Sequence, residues 1–467
     1  MTTITEPARE TPVLHETDIC VIGGSCTGVF AAVSAARLGA RVAVVEKQNC
    51  FGGVATAGLV NIWHTLYDEP LKKKIIAGLT GEILERLDKR DALQCNPHSL
   101  NAYRMNTEEL KIELDEYVTE SEITPFLHTF YAAPYMDEGV LRGIIVENKS
   151  GRGVILAKVF IDASGDADLS LDLGCDSYLP ETLQPPSMCA KIQGMHSLAD
   201  WDWQKAVSKY GPEFGLEEDW GWQSAIPGLP GIEMHAGAHV FGVDTSRGDQ
   251  LTGSEIEGRR KVRAIMDIIR KYGPSHSSIG LVDLAAVIGA RETRRIRAQY
   301  QLTGDDVLYG KCFDDAIAYG SYRVDTHHSN GAGITFKYLD GRQEVVPRRG
   351  AQMEIGRWRE PLDRDPTFYQ IPYRCLLQEK YPNLLLSGRM LDADKVAFSG
   401  VRVMVNMNQT GEAAGVAAYL ALDSECSVQD VDVCDLQKEL EKGGSVSYTS
   451  DRAVESLRDD FGLGGAR

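Results

Sequence analysis

The chain has 467 residues, 43% of them hydrophobic, which is enough to bury a large core in two or three domains. Lysine and arginine number 49 against 67 aspartates and glutamates, a formal net charge of -18 that repels phosphate backbones and anionic lipid surfaces, so neither nucleic acid nor membrane is expected as a partner. The 10 cysteines are scattered without a C-x-x-C pair, and neither a leader nor a membrane-spanning run is evident, so a cytoplasmic protein with reduced thiols is expected.

Residues 1–14 read as a flexible tail. The run DICVIG that follows suits a buried parallel strand, and the turn after it places Gly23 and Gly28 at the outer positions of a G-x-G-x-x-G pattern whose middle position holds Ser25. Gly24 still permits a tight turn. The Ser25 hydroxyl can cap a helix or donate to a phosphate oxygen, and the helix opening at Cys26 and Thr27 offers free N–H groups to an anion. VFAAVSAARLG continues as an alanine-rich helix stopping near Gly39, and RVAVVE forms a second strand ending on Glu46, where a carboxylate can bond a ribose hydroxyl.

Next come Lys47, the pair Gly52 and Gly53, and small residues including Val54 and Thr56, in EKQNCFGGVATAGLVNIWH. Here the chain resembles the FAD-dependent oxidoreductases of the glutathione-reductase-like superfamily, in particular the fumarate-reductase-like branch, where E-K, a spacer and G-G lead from ribose toward the flavin. Two distant segments carry the same resemblance. In VILAKVFIDASGDADLSLDLG, after a β-meander with turns at DEG and KSGRG, a strand enters Ala163, Ser164 and Gly165, similar to the family's A-T-G signature. Near the C-terminus, YPNLLLSGRM brings a strand to Gly388 and Arg389, and a small-residue helix runs from about Val403 to Leu422. The resemblance implies that this helix aims its N-terminus at the flavin, with Arg389 and Arg402 as partners for the pyrophosphate or the reduced ring.

It further implies an α/β architecture: a discontinuous, Rossmann-like FAD-binding domain of the GR2 type over residues 15–180 and 370–425. An α+β substrate or cap domain is inserted over residues 181–369, and a helical extension covers residues 426–467. The middle segment, with GARETRR, YQLT and DTHH, is similar to a bacterial subgroup of broadly described FAD-dependent oxidoreductases with no single substrate.

In the cap, WDWQK and DWGWQ concentrate four of the 6 tryptophans, as a pocket lining or as packing. LTGSEIEGRRKVRAIMDIIRKYG has the spacing of an amphipathic helix. Arg291, Glu292, Arg294 and Arg295, read as helical, put two guanidiniums on one face; Arg291 is the candidate for a substrate carboxylate, the others for an ion-pair network. His327, with Asp325 and Tyr322 nearby, is the candidate acid–base group, and Tyr322 a second one. His235 and His239 in MHAGAHV lack the acid of a zinc helix, so no metal is expected. Cys50 and His64 lie where covalent flavin attachment is conceivable, but packing suffices for both.

Together these readings give an FAD enzyme exchanging hydride between flavin N5 and a small polar or carboxylated molecule, with an electron donor or acceptor unassigned and homo-oligomerisation open. Two alternatives stay beside it. One is an FAD-containing electron-transfer subunit acting on a protein partner; the other is an NAD-binding dehydrogenase, which leaves the C-terminal SGR segment unexplained.

Overall fold

A computed structural model describes residues 2–96, 98–274, 278–329, 331–446 and 448, so the last part of the expected C-terminal extension lies outside the described residues. Its central sheet has five parallel strands in the order Leu384–Leu386, Val159–Asp162, Ile19–Ile22, Val42–Val45 and Thr124–Phe126. All but the last are buried along their whole length, which is why ICVI, VAVV, VFID and LLL are continuously apolar rather than alternating.

Two helices cover one face of this sheet. The helix Cys26–Arg37 follows the first strand, and Met404–Asp423 packs directly on it. Their contact is glycine-dependent: a Cβ on Gly411 would collide with the Thr27 carbonyl, and one on Gly415 with the Ala31 carbonyl. Matching 411 with 27 and 415 with 31 makes the helices parallel. Because Met404 is seven residues before Gly411 while Cys26 is one before Thr27, the N-terminus of the later helix projects roughly 9 Å beyond that of the earlier one, at about 1.5 Å per residue.

The meander Phe130–Asp137, Val140–Asn148 and Gly151–Leu156 forms as expected, and Val13–Glu16 joins it as a parallel fourth strand. The cap contains an antiparallel sheet ordered Trp222–Ala225, Ile232–His239, Ser187–Gln193 and Gly280–Leu284, covered by the long amphipathic helix Gly248–Tyr272. A second antiparallel sheet starts with Val324–His327 and Ile334–Lys337. Residues 302–324 contribute to the largest core, where the Gln409 amide both accepts from Tyr319 N (3.0 Å) and donates to Tyr319 O (2.8 Å).

One local expectation fails. Arg291–Arg294 are not helical, and Arg295–Ile296 form a short strand against Ser177–Tyr178. Tertiary partners outweigh helical spacing: buried Arg295 pairs with buried Glu292, donates to Ala393 O (2.5 Å) and lies 4.0 Å over the Phe398 ring. No helix among the described residues is long and apolar enough to cross a membrane.

Buried Glu412, on the helix Met404–Asp423, accepts hydrogen bonds from Leu79 N (3.2 Å) and Ser445 Oγ (3.0 Å), while its Oε1 has no partner. Burial pushes its carboxyl up to about 7. A raised carboxyl binds its proton more tightly in the folded chain, so this group lowers stability progressively as pH rises from about 4.5 through 7. Glu412→Gln is therefore expected to stabilise the protein more at pH 8 than at pH 5, by on the order of 3 kcal/mol at most, as measured by denaturant unfolding at the two pH values.

Candidate functional site

The three segments singled out in the sequence meet at the C-terminal ends of the parallel strands. Gly23, at φ +103°, lies so close to Ala163 that a Cβ would strike its carbonyl, and Gly28 lies equally close to Gly23 O. Gly24 N donates to Glu46 Oε2 (2.7 Å) and Gln48 N to Glu46 Oε1 (2.8 Å), which fixes the buried carboxylate beside the turn. Ser25 forms a bridge with Gly52, Gly52 N donates to Gly24 O (2.8 Å), and a Cβ on Gly53 would press on Ser25, so the second glycine pair lies along the first. Cys26 Sγ donates to Gly52 O (3.6 Å), and Val54 and Thr56 stand in and just after the single turn Gly53–Ala55. Ser25 stands at the helix N-cap without a side-chain cap bond, and no acid occupies the first turn. The helix N-terminus is left positive and open to an anion.

On the neighbouring strand, Asp162 organises the turn that carries Gly165. Its carboxylate accepts from Ser164 N and Oγ (3.2 and 2.7 Å) and from Ser170 N and Oγ (2.9 and 2.6 Å), which gives serine after Ala163 a structural reason. Gly165 touches the guanidinium of Arg389, which follows Gly388 and donates to Asp166 Oδ1 (2.5 Å); Arg389 Nε is buried without a partner. Lys47 is exposed, with its charge directed at Asp166 and Asp168. Gly23, Gly165 and Arg389 thus line one place.

A second, polar cluster lies where the cap meets the start of the helix Met404–Asp423, which also lacks a side-chain cap and an acid in its first turn. Tyr322 Oη donates to Asp325 Oδ2 (2.6 Å), and His327 Nε2 is 3.5 Å from Asp325 Oδ1. Arg402 donates to Asp325 O (3.3 Å) and lies 3.5 Å from Oδ2, while its Nε has no partner. Its charge acts on Arg291, His327, Tyr322 and His64, so this arginine belongs with the cap residues rather than with Arg389. Arg291 donates through Nη1 to Pro185 O and Ser187 Oγ (2.6 Å each), and no ion pair to it occurs among the described residues. It is enclosed by protein yet keeps some accessible surface, and burial together with Arg402 pushes its guanidinium down to about 10.

Three residues given other roles in the sequence reading, or left between roles, join this cluster. The His64 ring stacks on Tyr322 at 3.8 Å. Trp220 meets His327 edge-on at 5.5 Å. His239, set aside in the sequence because no acid stands near it, is 5.1 Å from the His327 ring and is held by Asp219, twenty positions away, through Nδ1 (2.7 Å). Only the strand pairing of the cap brings that acid into reach. Gln184 ties the surroundings together: its N donates to Glu292 Oε2 (2.8 Å), its Nε2 to Ser399 Oγ (3.2 Å), and its Oε1 accepts from His327 N (3.1 Å).

A parallel sheet with a glycine cradle at its strand ends and a polar cap cluster beside it defines a dinucleotide-dependent oxidoreductase. The chain belongs to the family described as FAD dependent oxidoreductase, whose model matches residues 18–440. A soluble pyridine nucleotide transhydrogenase from Chromohalobacter salexigens is 27% identical over 155 residues; the match spans 32% of this chain and 31% of that one, under a third of its length. Among solved structures, a geranylgeranyl bacteriochlorophyll reductase-like protein from Thermoplasma acidophilum superposes with a TM-score of 0.47 at 13% identity, over 91% of this chain and 83% of that one. For p-nitrophenol 4-monooxygenase from Pseudomonas putida the values are 0.44, 12%, 95% and 89%. The protein is an enzyme and its cofactor is FAD. The chain's geometry fits that cofactor: close-approach glycines beside an uncapped helix N-terminus, a second uncapped helix packed parallel to the first, and an unpartnered arginine nitrogen at Arg389 are what such a group would use.

Burial lowers the imidazoles of His64 and His235 to about 3. Both are expected to stay neutral from pH 5 to 8, with ring nitrogen-15 shifts constant across that range, whereas an ordinary histidine titrates near 6.5.

Proposed function

We propose that the enzyme exchanges hydride between FAD and a small carboxylated organic molecule held in the cap cluster. The dinucleotide would be held by residues 23–28, by Glu46 through its ribose, by the Gly52–Gly53 segment and by Arg389. Its flavin end would lie toward the start of Met404–Asp423, whose N-terminal N–H groups would stabilise negative charge on the reduced ring. Bound FAD supplies the two-electron chemistry.

The observation that carries this reading is the placing of two guanidiniums in one buried cluster, near Asp325 and Asp219. Arg291 has no acidic partner among the described residues, and Arg402 shares Asp325 with Tyr322 and His327. A substrate carboxylate bridging the two arginines would relieve their repulsion and satisfy the unpartnered Arg402 Nε. His327 and Tyr322 then face the substrate as hydrogen-bonding groups. Trp220, whose ring meets His327, also lines an open cavity of about 510 Å³.

The test is anaerobic mixing of the oxidised protein with a panel of two- to five-carbon carboxylates, followed by flavin absorbance. Arg291→Met is expected to keep its flavin and to lose about 10- to 100-fold in the second-order rate of bleaching, the value of one charged hydrogen bond. Loss of the flavin itself in that variant, or bleaching only by a protein partner, would count against the reading.

A further inference from the structure

Resting on that reading of the cap cluster, we propose that His239, positioned by Asp219, is the catalytic base of this enzyme and that its substrate is a 2-hydroxy carboxylate. His239 is buried to 2% exposure on the strand Ile232–His239, and its Nε2 is without a hydrogen-bond partner. An unpartnered, nearly fully buried imidazole nitrogen is costly and calls for a ligand. The other ring nitrogen is fully committed. Asp219 can only accept as a carboxylate, so Nδ1 carries the hydrogen and Nε2 presents its lone pair.

The carboxylate is itself fixed from three directions. Oδ1 accepts from Trp220 N (2.6 Å) as well as from the ring, and Oδ2 accepts from His239 N (3.1 Å). The interaction with His239, these hydrogen bonds and the Arg349 guanidinium hold Asp219 below the ordinary carboxylate range despite burial. His239 lies opposite Ser187 in the sheet, and Ser187 Oγ accepts from Arg291, so the base stands beside the carboxylate anchor. The groups facing His239 are Asp219, Arg291, Arg349, His235 and His327, with Trp220 and Phe241 closing the sides. Burial and the arginines favour the neutral ring, the form a base needs.

The same cations select the proton donor. Arg291 and Arg402 attract a carboxylate and repel an ammonium group, so an amino acid is disfavoured against a neutral hydroxyl on the adjacent carbon. In the step, the hydroxyl O–H bond breaks and its proton passes to His239 Nε2. The carbon's hydrogen departs with its bonding pair to FAD, the two-electron acceptor, and the C–O bond becomes a carbonyl, giving a 2-oxo carboxylate.

The experiment uses the FAD-loaded protein with glycolate and acetate as probes, which differ by the hydroxyl alone, and measures both affinities by calorimetry. The wild type is expected to bind glycolate at least 5-fold more tightly than acetate. His239→Asn should remove that preference while keeping acetate affinity, and Arg291→Met should weaken both probes. A His239→Asn variant that retains the preference overturns the assignment of the base and leaves the carboxylate site standing; failure of the wild type to bind either probe overturns the site reading, and this inference with it. Independently, nitrogen-15 spectra should show His239 as the Nδ1–H tautomer in the wild type, the form whose Nε2 lone pair can accept the substrate proton. An Nε2–H tautomer in the wild type rules the base out.

Discussion

The arrangement depends on how closely two helices can approach. Gly411 and Gly415 let the helix Met404–Asp423 press against the backbone of Cys26–Arg37, with no side chain between them. That contact sets direction and offset together: both positive ends face the same way, and one projects past the other by about two turns. An elongated dinucleotide has two regions that gain negative charge or carry it permanently. A staggered pair of helix ends can serve both, which a single helix cannot.

The second constraint is electrostatic. The protein is strongly acidic overall, yet its cap cluster concentrates Arg291 and Arg402 around Asp325. Burial makes each of these charges expensive, and the histidines beside them are kept neutral by the same desolvation. A small anion entering such a place meets directional donors rather than water. Arg323, also in this region, is otherwise engaged: it lies 3.8 Å over Phe336 and donates to Tyr338, which donates in turn to Glu344.

Most of the nucleotide-binding half was legible in the sequence because its signals are local. Continuous apolar runs specify buried parallel strands, close-packed glycines cannot be replaced by larger residues, and Glu46 follows its strand directly. Ser164 was also readable, although its reason, a hydrogen bond to Asp162, needed the folded turn. The cap was far less legible. Arg291, Tyr322 and His327 converge as their residue types suggested, but the helix assumed for residues 291–295 gave way to the buried Arg295–Glu292 pair. The Asp219–His239 contact was invisible because it joins a loop to a strand end, and no spacing rule covers such a pair. The contact of Arg402 with Asp325 was hidden for a similar reason: it joins a residue beside the last helix to one in the cap.

Gln184 sits where the chain has just left the nucleotide-binding strands for the cap, and its backbone and amide bind Glu292, Ser399 and His327 at once. With 1% of its surface accessible, it is packed tightly at this crossover. Rigid-body swinging of the cap would break the Ser399 bond, the one of the three that joins the cap to the nucleotide-binding body, in an environment where water cannot replace it. One buried amide thus couples the substrate side to the nucleotide side, so a change in the packing around Ser399 reaches the His327 backbone through a single side chain.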